Sequence, residues 1–115
     1  MFGKLFEIGS LMKQAQQFGG KMQEMNDRLK QVRVRGEAAG GMIVVEMNGL
    51  QEMISCKIEP ALFQKGDVEL LEDLIVGATN EAVEESRRQQ MESMRSLSEG
   101  MDLGALGDTL GKMIQ

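Results

Sequence analysis

"VRVRGEAAGGMIVVEMNGLQEMISCKIEP", residues 32–60, decides the fold of this chain. It opens with alternation: Val32 and Val34 fall on one face, Arg33 and Arg35 on the other, which is the two-residue period of a half-buried strand. "EAAGG" (37–41) reads as a loop. "MIVVEMNGLQEMISCKIE" (42–59) reads as a hairpin about Asn48-Gly49, a pair suited to the positive φ that a type I′ turn needs at both central residues. Val45 belongs to the apolar face of the first arm. In the second arm Ile54, Cys56 and Ile58 share a face, so Cys56 is expected to be a small buried residue rather than a nucleophile. Pro60 has no N–H to give a ladder and stops the last strand. Three strands with one apolar face need a cover.

The flanking segments supply helices. Leu5, Ile8, Met12, Ala15, Gly19, Met22, Asn26 and Leu29 are separated by alternating steps of three and four, a heptad stripe. Leu11, Phe18 and Met25 widen it. The spacing predicts a helix from about Ser10, as N-cap, to Lys30, with Gly19-Gly20 as a kink, a close crossing or a break. Beyond Pro60, Leu62 and Phe63 are expected to dock on the core. Asp67 is placed to N-cap a second long helix, with Glu69, Glu72 and Asp73 near its positive end. Its apolar stripe is Leu70, Leu71, Leu74, Ile75, Ala78, Ala82 and Val83. After Val83 the composition turns polar, so the second half is expected to project into solvent. Residues 96–115 are rich in Gly and Leu; Leu103, Leu106, Leu110 and Met113 step by three, four and three, which fits a short docked helix or a disordered tail. The order of helix, three strands, helix and tail defines an α+β domain.

Composition narrows the chemistry. The 115 residues include 11 Met, four Phe, no Tyr, no Trp and no His. Without His there is no Ser-His or Cys-His nucleophile and no His-containing zinc site. A single Cys excludes an intrachain disulfide and suits a reducing cytosol. No apolar run is long enough to span a membrane, and Glu7 interrupts any leader-like core, so a cytoplasmic protein is expected. Glu69, Glu72 and Asp73 resemble ordinary first-turn acids more than a metal site, and neither a metal nor another cofactor is expected. Catalytic apparatus is not visible in this inventory.

What remains is electrostatic and interfacial. Net charge is −5, but residues 1–35 carry seven Lys/Arg against three Asp/Glu, and residues 36–86 carry two against eleven. The cations of interest are Lys4, Lys13, Lys21 and Arg28 on the first helix or its approach and Arg87, Arg88 and Arg95 on the projecting end of the last. All can donate to phosphate oxygens, and Gln side chains accompany them. An adaptor that engages another protein through its Met-rich heptad helix is the alternative reading.

"MFGK" at the start, "LMKQAQQ", "GGMIVVEMNG", "IEPALF" and "DVELLEDLIVGATNEAVEES", in this order over roughly residues 1–95, resemble the YbaB/EbfC family of bacterial nucleoid-associated proteins. The resemblance implies an α-β-β-β-α fold with a three-stranded antiparallel sheet per subunit. It further implies an intertwined homodimer with protruding helical arms. It makes residues 1–95 the DNA-binding and dimerisation domain, with Met12, Met22, Val45, Ile54, Ile58 and Leu74 in core or dimer contacts. Duplex DNA, held mainly through phosphates by the arms, is the implied ligand. The implied role is chromosome-organising or regulatory, non-enzymatic and in the nucleoid, with other nucleoid or DNA-metabolism proteins as further partners. Lys4 and Lys13 match the basic positions of the amino-terminal motif, and Arg87 and Arg88 lie on the corresponding distal helix. Gly19-Gly20, the acidic middle and the Gly/Leu-rich tail depart from the family pattern.

Overall fold

A computed structural model describes residues 2–100, with side chains from residue 7 to residue 99, so the stripe of Leu103, Leu106, Leu110 and Met113 read in the tail lies outside the described residues. Its elements are α1 (Phe2–Gln31), β1 (Val34–Ala38), β2 (Ile43–Met47), β3 (Met53–Ile58), α2 (Pro60–Gln64) and α3 (Val68–Gly100). The strands form one antiparallel sheet in the order β1-β2-β3. The α-β-β-β-α reading therefore holds, with α2 as an extra short turn of helix that opens on Pro60.

The sheet has two unlike faces. Val34, Gly36 and Ala38 pair with Met47, Val45 and Ile43 on the core side, whereas Arg35 and Glu37 pair with Glu46 and Val44 on the other. The amino-terminal part of α3 lies over β1 and β2, and its Ala78 and Ala82 are fully buried. The approach is close because β1 offers no side chain there. A Cβ on Gly36 would stand 1.9 Å from the Ala78 carbonyl oxygen and 2.5 Å from the Ala82 nitrogen. Three consecutive residues with positive φ, Ala39, Gly40 and Gly41, reverse the chain between β1 and β2.

The next reversal departs from expectation. Neither Asn48 nor Gly49 takes positive φ; Gln51 does, at 63°. The connection is a five-residue loop, 48–52, rather than a two-residue type I′ turn. The Asn48 carboxamide organises it: its Oδ1 accepts from the N–H groups of Leu50 and Glu52 at 2.8 and 3.1 Å, and its Nδ2 donates to Glu52 at 2.8 Å. Such side-chain bonds offer the backbone an alternative to the tight turn. Gly49 serves packing instead: its N–H donates to the Leu29 carbonyl at 2.8 Å, and a Cβ would meet that same oxygen at 2.9 Å.

Three further expectations are corrected. Helix α1 starts at Phe2, places Ser10 in its interior and runs without interruption through Gly19-Gly20. Two helical glycines cost roughly 1 kcal/mol each, too little to break a helix of 30 residues. Cys56 is exposed, and Ile54, the unpaired residue at the irregular register opposite Glu46/Met47, is 47% exposed. The cause is position: β3 is an edge strand, and α3 covers β1 and β2. Phe63 is 68% exposed, while its neighbour Leu62 is buried. Asp67 caps α3 as expected, its Oδ1 accepting from the Leu70 N–H at 3.0 Å.

Candidate nucleic-acid interface

The inward stripe of α1 decides which of its side chains reach solvent. Met25 and Leu29 are buried, and Leu11, Gln14 and Met22 are half-buried, as is Val32 just beyond the helix end. This stripe is rotated from the heptad read in the sequence, so Met12 and Asn26 face outward and Met25 takes the place given to Asn26. Leu29 and Ser86 are tied to the same loop, through Gly49 N–H to the Leu29 carbonyl and Gln51 N–H to Ser86 Oγ at 3.0 Å. They therefore lie at one level, where α1 and α3 are in contact.

From that level both helices leave the sheet as an arm. Fourteen residues of α3 carry it about 21 Å further, and twenty-seven residues of α1 reach about 40 Å. The radius of gyration is 22.1 Å and the long axis 76 Å, against about 13 Å for a compact chain of this length. The arm is thus the dominant shape of the molecule, and its polar side chains are presented well away from the acidic middle.

Lys13, Lys21 and Arg28 are exposed and separated by eight and seven residues, so they fall within about 80° of one another along one flank of α1. Arg88 and Arg95, seven apart and also exposed, form a second row on α3; Arg87 is turned about 100° from Arg88. Lys4 lies in α1, but its side chain is outside the described residues. Lys30 sits off the Lys13–Arg28 row. Arg88 pairs with Glu85. The other ion pair among the described residues is Arg33–Glu46 at 3.7 Å, beside the sheet.

Sequence reading missed two members of this surface, Glu24 on α1 and Glu92, which stands between Arg88 and Arg95 on α3. Glu24 is three residues after Lys21 and four before Arg28, and it is exposed. That spacing puts a carboxylate within the cationic row. The signal was present in the sequence as a helical neighbour but becomes telling once the buried stripe fixes the face. Of the core and dimer candidates, Val45 is buried, Met22, Ile58 and Leu74 are half-buried, and Met12 and Ile54 stand exposed in the single chain.

The described residues contain no cluster of three metal-ligating side chains, and no described helix is long and apolar enough to cross a membrane. What the arm offers is spaced cations on long helices, which suits contacts to a polyanion's backbone.

Comparison with known proteins agrees. The chain is 38% identical over 107 residues to a nucleoid-associated protein of Legionella pneumophila, covering 91% of this chain and 95% of that one. It is 40% identical over 94 residues to a nucleoid-associated protein of Chlorobium phaeovibrioides, covering 82% and 84%. The crystal structure of an uncharacterised protein, HP0035 from Helicobacter pylori, superposes with a TM-score of 0.69 at 18% identity, over 76% of this chain and 91% of that one, and so shares its fold. The YbaB/EbfC DNA-binding family matches residues 4–101, and with it the cationic arm has its context: this chain belongs to the YbaB/EbfC DNA-binding family.

Proposed function

We propose that the protein is a non-enzymatic, nucleoid-associated homodimer that holds duplex DNA through phosphate contacts from its helical arms, in a chromosome-organising or regulatory role. The observation that carries the reading is the pairing of an arm bearing Lys13, Lys21, Arg28, Arg88 and Arg95 with an unfinished sheet edge. On β3, Ile58 and Cys56 continue the apolar face of Ile43 and Val45 past the cover given by α3. The opposite face, with Arg35, Glu37, Glu46 and Lys57, is charged and suits water. A second copy seated at β3 would cover the apolar side and set two arms in one particle, doubling a modest row of cations. Lys4 and Arg87 would add to it.

Mobility-shift titrations at several salt concentrations, run beside sedimentation equilibrium, test this. Binding should weaken steeply with salt, with a log–log slope of about −0.9 per phosphate contact. Replacing Lys13, Lys21 and Arg28 by Gln should flatten that slope by several contacts per dimer while leaving sedimentation unchanged. Unaltered affinity and slope would remove α1 from the interface, and a stable single subunit in dilute solution would refute the dimer.

A further inference from the structure

We infer the register of the dimer proposed above, on which this inference rests: β3 of one copy pairs antiparallel with β3 of the other about a two-fold axis at Cys56. Of the two edges of the sheet, β1 lies under α3 and β3 does not, so β3 is the edge whose apolar face is unfinished. Its spare backbone groups follow from the pairing with β2. Glu59 N–H donates to the Met42 carbonyl at 2.7 Å, which makes those two a hydrogen-bonded pair. By alternation Lys57 and Ser55 also bond to β2, at Val44 and Glu46, so the N–H and C=O groups of Cys56 and Ile58 point to the open side. Such a row invites a further strand.

Symmetry and charge choose the register. The Cys56 and Ile58 side chains share the face of Val45 and Ile43, and Lys57 shares that of Val44. A two-fold axis normal to the sheet keeps the apolar faces of both copies on one side, and it makes the strands antiparallel. Outward-bonding residues must then face one another. An axis at Lys57 sets Cys56 against the partner's Ile58, but it puts Lys57 directly against the partner's Lys57, a close pair in which like charges destabilise. An axis at Ser55 sets Ile58 against the partner's Glu52, outside the strand, and Cys56 against the partner's Ile54, the residue at the irregular register. An axis at Cys56 avoids both faults. It sets Cys56 against the partner's Cys56 and Lys57 against the partner's Ser55. Glu46 stands beside Ser55 on β2 and adds a carboxylate to the same row of that face.

Disulfide trapping in the full chain reads the register. Directly opposed Cα atoms stand about 4.5–5.5 Å apart, within reach of a disulfide; a slip of two residues adds about 7 Å along the strand and takes them out of reach. Diamide, a diazene oxidant, accepts the two protons and two electrons as two thiols become one S–S bond. The unaltered chain, whose single thiol is Cys56, should form a covalent dimer at a rate independent of protein concentration. That rate should be at least about tenfold above those of Cys56→Ser with Lys57→Cys and of Cys56→Ser with Ser55→Cys. Faster or equal linking in either variant, or no link in a particle that sediments as a dimer, would overturn the register and leave the dimer standing. A particle that sediments as a single chain would overturn both.

Discussion

Gly36→Ala is the sharpest single perturbation of this fold. The new Cβ would stand 1.9 Å from the Ala78 carbonyl oxygen and 3.0 Å from its carbon, both backbone atoms of a buried helix. Ordinary contact requires α3 to withdraw by about 1.5 Å. A gap of 0.5–1 Å already forfeits a quarter to a half of each contact's attraction, at about 0.1–0.2 kcal/mol per atom pair. Spread over the seam where Ala78, Ala82, Val34, Ile43 and Val45 meet, the loss is about 3–4 kcal/mol, in the upper range for overpacked cores. Restricting the unfolded chain returns about 0.4–1 kcal/mol, leaving a net loss of about 3 kcal/mol. For a domain of this size that lowers the thermal midpoint by roughly 12–15 °C. Circular dichroism melts at matched protein concentration measure it, since association would make the midpoint concentration-dependent. Gly77→Ala is the internal control: it lies in α3 beside Ala78, a Cβ there meets nothing within 4 Å, and the change should hold or raise stability by up to about 1 kcal/mol. If Gly36→Ala melted within about 2 °C of the parent, the account of helix-on-sheet contact given above would be wrong.

Two further outcomes are expected. Ser86→Ala leaves the Gln51 N–H without its acceptor and should cost about 1–2 kcal/mol, read by urea unfolding, with faster exchange of the Gln51 amide as the local signature; unchanged exchange would show that the bond does not hold the loop. Glu24→Gln removes a carboxylate from the Lys21–Arg28 row; at about 7 Å in water each such interaction is worth about 0.6 kcal/mol, so DNA affinity should rise about threefold per arm at low salt, and a loss of affinity would place that flank away from the phosphates.

Much of the architecture is legible in residues 32–60. Alternation marks the strands and their charged face, although β1 begins at Val34 and takes in Glu37 and Ala38, which read as loop, and Asp67 marks the start of α3, because these signals are local. The misses have a common origin in tertiary geometry. Cys56 and Ile54 carry the pattern of a buried face, but burial depends on whether a helix lies above that strand, and strand order leaves β3 at the edge. Asn48-Gly49 announces a tight turn, yet the Asn48 carboxamide and the nearness of Leu29 favour a longer loop. The inward stripe of α1 differs from the heptad because Leu11, Phe18 and Met25 compete with Met12, Ala15 and Asn26 at almost equal apolarity; only contact with α3 selects between them. The cations were visible individually, but not the face they share, nor Glu24 among them.

The 48–52 loop fastens both long helices at once, α1 by way of Gly49 and α3 by way of Ser86, and it leads straight into the edge strand. It therefore acts as a pivot pin. Levering the two helices apart at their far ends must twist these five residues, and that twist arrives next at Met53, where β3 begins. The separation of the helix ends and the set of the open sheet edge are thereby linked through one short loop.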